Sequence, residues 1–181
     1  MLLGVLSLDF AIAGVLPRLE ARTLAGGSIV LPEDAHGSFA LLVFGFTRGS
    51  REWTSAWGRR SVQDCKPVNH CQDYAIAVLE DVPRLLRSIV VSGIRAGIPA
   101  ERQGYFLTLF HDSDAWKKFV GYREPDDAYL VLLDADGNVR WRWHGIFNDA
   151  NYAIFQQELR EIGVSRINEL HCCRARRGTP A

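Results

Sequence analysis

Two cysteines, Cys65 and Cys71, bracket the stretch "CKPVNHC" with five residues between them, one of which is His70. A thiolate is the nucleophile of disulfide exchange and peroxide reduction, and thiolate with imidazole also suits zinc. The spacing is not that of a zinc knuckle. Three readings therefore stand for this pair: a redox couple, a structural disulfide in a surface loop, and a metal half-site completed by His171-Cys172-Cys173. Ser50, in "FGFTRGSREWTSAW", is the other residue with nucleophilic chemistry to consider. A serine hydroxyl needs an adjacent base to act. None of His36, His70, His111 and His144 forms a serine-hydrolase motif with it.

A basic row, Arg140, Arg142 and His144, alternates with Trp141 and Trp143. On a strand this pattern puts Val139, Trp141 and Trp143 on one face and the basic residues on the other. The basic face reads either as a contact surface for an anionic or aromatic partner, or as an edge strand whose charges discourage further pairing. Asp134, Asp136 and Asn138 alternate acids, but the stretch lacks the length and bidentate Glu of a calcium loop, so turn chemistry explains it better. Asp126 and Asp127 read as a solvated loop. Trp53, Trp57 and Trp116 suit a core or a helix-to-sheet wedge. No phosphate loop, paired-carboxylate motif or nucleophile elbow is present, and neither a metal nor a cofactor is expected.

The elements that must position these residues alternate regularly. "SIVLP" (28–32) is a short strand after the Ala25-Gly26-Gly27 turn, and "SFALLVFGF" (38–46) is an apolar run suited to a strand covered on both faces. A helix is expected over 51–62, with Trp53 and Trp57 four apart on one side. A strand at 74–80 precedes a helix at 82–98 that places Leu85, Leu86, Ile89, Val90 and Ile94 at helical spacing behind Pro83. A strand at 104–112 follows, then a short helix with Ser113 as its N-cap. "DAYLVLLDADGNVRWRWHG" is a hairpin turning through Asp134 to Asn138, and a last helix runs from Asp149 to Ile162. Alternating units of this kind ask for an α/β domain with a parallel core, helices on both faces, and antiparallel strands added by the hairpins.

Bulk properties agree with one globular domain. The 181 residues carry 21 basic and 21 acidic side chains, so no global field favours nucleic acid. Only three of the basic residues are lysines, Lys66, Lys117 and Lys118. Four cysteines are too few for a disulfide scaffold of this length. The expected organisation is an apolar segment at 1–19, a domain at 20–163 and a basic tail at 164–181. The first segment is short for a spanning helix and carries Asp9 inside its apolar run. Its Ala11-Ile12-Ala13 resembles a cleavage site, but it has no basic start, so it is read as an element docking on the domain ahead of a leader. The compartment is left open: the cytoplasm or an organelle matrix is favoured, with export if residues 1–13 act as a leader.

The element order and two local stretches resemble the thioredoxin-like superfamily, in the elaborated form of peroxiredoxins and TlpA-type redoxins. "TLAGGSIVLPEDAHGSFALLVFGFT" is similar to the lead-in of those proteins, and "YLVLLDADGNVRW" to their penultimate hairpin. The resemblance implies a thioredoxin-like mixed sheet flanked by helices on both faces, with an N-terminal β-hairpin extension. It also locates the active-site corner. The first cysteine of the redoxin Cys-x-x-Cys falls at Ser50 and the second at Trp53, while Thr47 keeps the threonine that precedes the peroxidatic cysteine. The proline or arginine that these families place before the penultimate strand falls near Ala128, with Pro125 three residues early. The late segment "AYLVLLDADGNVRWRWHG" is further similar to the ATP10-like assembly-factor family of the mitochondrial ATP synthase, which also lacks the catalytic pair.

The resulting expectation is a redox-inactive protein that acts by binding a protein partner, as an assembly or chaperone-like factor for a membrane complex. Thr47, Ser50 and Trp53 form its degenerate corner. Arg48, Trp57, Arg140, Arg142 and His144 are the candidate contact residues. The alternatives are a thiol oxidoreductase or peroxiredoxin-like enzyme using Cys65 and Cys71, and a metal-binding accessory protein using the two cysteine clusters.

Overall fold

A computed structural model describes residues 15–65 and 71–161. Seven strands form one mixed sheet: β1 (Leu19–Thr23), β2 (Ser28–Leu31), β3 (Phe39–Gly45), β4 (Cys71–Val78), β5 (Phe106–Leu109), β6 (Ala128–Leu133) and β7 (Val139–Gly145). Their spatial order is β2-β1-β5-β4-β3-β6-β7. β3, β4 and β5 are mutually parallel, and the two hairpins add antiparallel strands at each side. The expected α/β architecture is therefore what forms.

β3 and β6 lie side by side near the middle of the sheet because their apolar runs satisfy both faces. Every residue of β6 is buried, as are all of β3 except Gly45. Successive side chains alternate between two cores, as strand geometry requires. Ala40, Leu42 and Phe44 enter one core with Tyr129, Val131 and Leu133; Phe39, Leu41 and Val43 enter the other with Ala128, Leu130 and Leu132.

Helices cover both faces. α1 (Arg51–Cys65) and a helix over 149–161, here α4, cover the second core, into which Trp57, Tyr152 and Phe155 project. The Tyr152 hydroxyl donates to the Arg60 carbonyl at 3.1 Å and ties these two helices together. α3 (Ser113–Val120) sends Trp116 and Val120 into the first core. α2 (Arg87–Ala96) connects β4 to β5 and buries no residue.

Four local expectations are corrected. The helix foreseen over 82–98 is α2 preceded by a 3-10 turn at Arg84–Leu86, because Pro83 keeps an extended ψ of 138°. Its Leu85 and Ile89, at helical spacing, are 91% and 67% exposed and do not form a core face. The strand foreseen over 104–112 is only β5, since Ala100–Tyr105 coil into a 3-10 helix. Ser113 does not cap α3: the cap position is Asp112, in the left-handed region at φ 60°, and the Ser113 N–H donates to the Glu80 carboxylate at 2.6 Å.

The β6–β7 hairpin turns as expected. Asp134 Oδ1 accepts from the N–H groups of Asp136 and Asn138 at 3.0 and 2.9 Å, so this carboxylate is spent on the turn. Gly137 takes φ 83°, and a Cβ there would lie 2.5 Å from Pro32. The hairpin also contains an irregularity. Leu133 pairs with Val139 but Leu132 pairs with Trp141, which leaves Arg140 as the extra residue of a bulge. The bulge reverses one inference from alternation: Val139 packs in the first core, while Trp141 and Trp143 pack against the second.

Candidate functional site

The corner after β3 is built around Thr47. Its hydroxyl donates to Asp126 Oδ1 at 2.7 Å, with the Pro125 carbonyl as a second acceptor at 3.0 Å, and accepts from the Ser50 N–H at 3.2 Å. Ser50 opens α1 with 1% exposure, and its own hydroxyl donates to the Thr47 carbonyl at 2.9 Å. Packing enforces this. A Cβ on Gly45 would lie 2.7 Å from Ser50 Oγ, and one on Gly49 would lie 2.1 Å from Asp126 Oδ1. The Asp126 carboxylate thus lies against the turn that leads into α1.

Asp126 is held there by the loop before β6. The Tyr129 hydroxyl accepts from the N–H groups of Arg123 and Glu124 and donates to the Glu124 carbonyl, each at 2.9 Å. Burial raises the Tyr129 pKa, opposed by these backbone bonds. His144 stacks on the Tyr129 ring at 5.3 Å between centroids, and its Nδ1 bonds Asp127 Oδ2 at 2.7 Å. Asp126 and Asp127 are therefore structural anchors of the corner and not merely a solvated loop. The partners Thr47 and Asp126 are 79 residues apart, and no local pattern announces their meeting. Ala128 is buried inside the sheet, so it is the Pro125–Asp126 step that faces the corner.

Chemically, this arrangement leaves no nucleophile. Ser50 has its proton committed to a carbonyl and its side chain enclosed. Trp53 is half-buried against the second core. Thr47, Arg48 and Gly49 form an exposed lip above them.

The expected contact residues do not form one surface. Trp57 is a correction: it is 0% exposed, within 5.2 to 6.1 Å of Trp143, Phe147, Tyr152 and Phe155 between ring centroids, and serves as a core anchor. Arg142 is engaged internally, with Nη1 donating to the Phe119 carbonyl at 2.7 Å and its guanidinium over the Phe119 ring. His144 serves the corner loop as described. Arg140 is exposed on the bulge, 3.8 Å from Asp134, and lies at the β3-start end of the sheet. Arg48 is exposed at the other end. The row is thus split along β7, and Arg142 and His144 act inward.

Cys71 is disulfide-bonded. It pairs with Phe39 at the start of β3, whereas Ser50 follows the end of that strand. Seven strand residues separate the two, or about 20 Å. Cys71 and the Thr47–Ser50 corner therefore occupy opposite ends of the sheet. The side chain of Cys65, and all of His70 and residues 171–173, lie outside the described residues, as do most of the expected N-terminal segment and all of the tail.

Sequence reasoning missed the one face that is plainly unpartnered in the described fold. Leu85, Leu86 and Ile89 are 91%, 49% and 67% exposed along α2 and its preceding turn.

No sequence-family profile matches the chain, and no curated protein matches it in sequence. Solved structures do share its fold. A Chlorobium tepidum protein assigned as thiol:disulfide interchange protein DsbE superposes with a TM-score of 0.57 at 18% identity, covering 83% of this chain and 96% of that one. BsSco, of the Sco family of cytochrome c oxidase assembly proteins, gives 0.58 at 15%, over 84% and 96%. The exposed lipoprotein thioredoxin Etrx1 of Streptococcus pneumoniae gives 0.57 at 14%, over 80% and 99%. The fold of this chain is thioredoxin-like, shared by thiol-disulfide oxidoreductases and Sco assembly proteins alike.

Proposed function

We propose that this thioredoxin-like protein acts by binding a protein partner and performs no thiol chemistry at its corner, as an assembly or chaperone-like factor for a membrane complex. The observation that carries the reading is Ser50: at the position of the first redox cysteine stands an enclosed hydroxyl bonded to its own turn. A serine there cannot form or exchange a disulfide, and no base activates it. The corner is instead rigid architecture. The exposed lip of Thr47 and Arg48, and the apolar face of Leu85, Leu86 and Ile89, are the surfaces available to a partner. That BsSco belongs to a family of assembly proteins is consistent with this role for the fold.

The test is an insulin-disulfide and peroxide reduction assay beside a cross-linking pull-down from membranes. Silence in both assays, with a membrane complex recovered by wild type and lost on Leu85→Ser with Ile89→Ser, is the expected result. A second reading has its own observation. Cys71 is disulfide-bonded, which supports an oxidoreductase working through Cys65 and Cys71 from the far end of the sheet. Turnover in either assay that vanishes with Cys71→Ser would replace the binding reading by this one.

A further inference from the structure

Between α1 and the segment that follows α2 lies a cleft of about 460 Å³ over the faces of β3, β4 and β5, a volume within the range of small-molecule sites. It does not include Thr47 to Ser50. Its floor and walls are mainly apolar, with Val43, Ala75, Ile98 and Phe106 among them. α2, which ends just before Gly97 and Ile98 of the cleft wall, buries no residue. α1 contributes Gly58 to the opposite wall. Glycine in a helix interior is costly relative to alanine, and here packing does not require it: a Cβ at Gly58 would meet nothing within 4 Å. Gly58 therefore borders open space in the cleft wall that a larger side chain could occupy.

One ion pair sits in this apolar wall. Asp73, with a side chain 7% exposed, accepts from Arg102 Nη2 at 2.5 Å. The pair uses one nitrogen of a five-donor guanidinium that also lies 5.2 Å over the Tyr105 ring, and the Arg102 side chain, which lines the cleft, is 30% exposed. Arg59 lines the same cleft, so its charges are two guanidinium groups against one carboxylate. An uncompensated positive charge beside apolar walls selects an anion with an apolar body, and a guanidinium favours a planar, bidentate head.

We propose that this cleft is a binding site for a small apolar carboxylate, with the head on Arg102 and the hydrocarbon or aromatic body over Val43, Ala75 and Phe106. The site is independent of the corner and of the partner-binding role above. Its test is calorimetric titration of the full chain with phenylacetate and with hexanoate, beside phenethyl alcohol as the uncharged counterpart. Saturable binding of a carboxylate at one equivalent is expected, with the alcohol about tenfold weaker or worse. Gly58→Leu fills the wall and removes binding while the melting temperature holds or rises. The paired change Asp73→Asn with Arg102→Met, which leaves no buried charge unpartnered, reduces the acid to the affinity of the alcohol. No saturable binding by either carboxylate overturns the proposal. So does equal binding of acid and alcohol, or undiminished binding in a folded Gly58→Leu variant.

Discussion

α1 and α2 are both crossover helices of the parallel β3-β4-β5 core, yet they relate to the sheet in opposite ways. α1 drives Trp57 to 0% exposure among four other rings, and the Ser50 N–H at its start donates to Thr47, whose hydroxyl is held by Asp126. α2 buries no residue and turns Leu85 and Ile89 outward. The corner at the start of α1 is held by buried rings and hydrogen bonds, whereas the turn before α2 and α2 itself present apolar side chains to solvent.

The comparison is most severely tested at Trp57. Trp57→Ala removes the centre of the aromatic cluster and is expected to cost about 3–5 kcal/mol in urea unfolding. A loss under 1 kcal/mol would mean that α1 is no better anchored than α2. Next in size is the pair beneath the cleft. Arg102→Met leaves the Asp73 carboxylate unpaired and is expected to cost about 1–3 kcal/mol at neutral pH, shrinking in acid as Asp73 takes a proton.

Asp73 itself sets a pH dependence. Burial raises its pKa above the ordinary 3.8, although Arg102 pulls the other way. Just above 3.8 the folded state holds a proton that the unfolded chain has released, so stability falls as pH rises through that window. Urea midpoints measured across mildly acidic pH should show this slope in wild type and not in Asp73→Asn.

At the corner the expected effects are smaller. Thr47→Val removes the hydroxyl that bonds Asp126, the Pro125 carbonyl and the Ser50 N–H and is expected to cost about 1–2 kcal/mol, and Ser50→Ala removes one hydrogen bond and is expected to cost about 1 kcal/mol. Gly49→Ala drives a methyl into Asp126 and should be rescued by Asp126→Ala, a coupling readable in a double-mutant cycle. If the two changes are simply additive, Asp126 does not pack on the corner. Smallest of all, Leu85→Ser in the turn before α2 and Ile89→Ser on α2 are each expected to stay within about 0.5 kcal/mol in stability while abolishing capture of the partner. A large stability loss there would show that α2 is packed like α1.

Much of this was readable along the chain. The unbroken apolar runs of β3 and β6 announced strands covered on both sides, and Asp134 to Asn138 announced the turn between β6 and β7, because these signals depend on residues close in sequence. That the stretch from Thr47 to Trp57 contains no cysteine was equally legible, since a missing sulfur needs no coordinates. Helical spacing also found α2, but spacing reports only that apolar residues share a side. Whether that side meets the sheet depends on how the helix is set down, and Leu85 and Ile89 went to solvent.

What the sequence by itself determined, then, is the order of elements, the double-sided core and the absence of a thiol from the corner. Each follows from local periodicity or from atom types. Only the tertiary structure decided the uses of the charged residues. The single bulge at Arg140 moved Val139 and the two tryptophans to opposite cores. Arg142 and His144 were turned inward onto Phe119 and Asp127. Asp126 was brought to Thr47 across 79 residues, and Cys71 was placed at the far end of the sheet from Ser50. These outcomes depend on register and on contacts between distant segments, which no local pattern encodes.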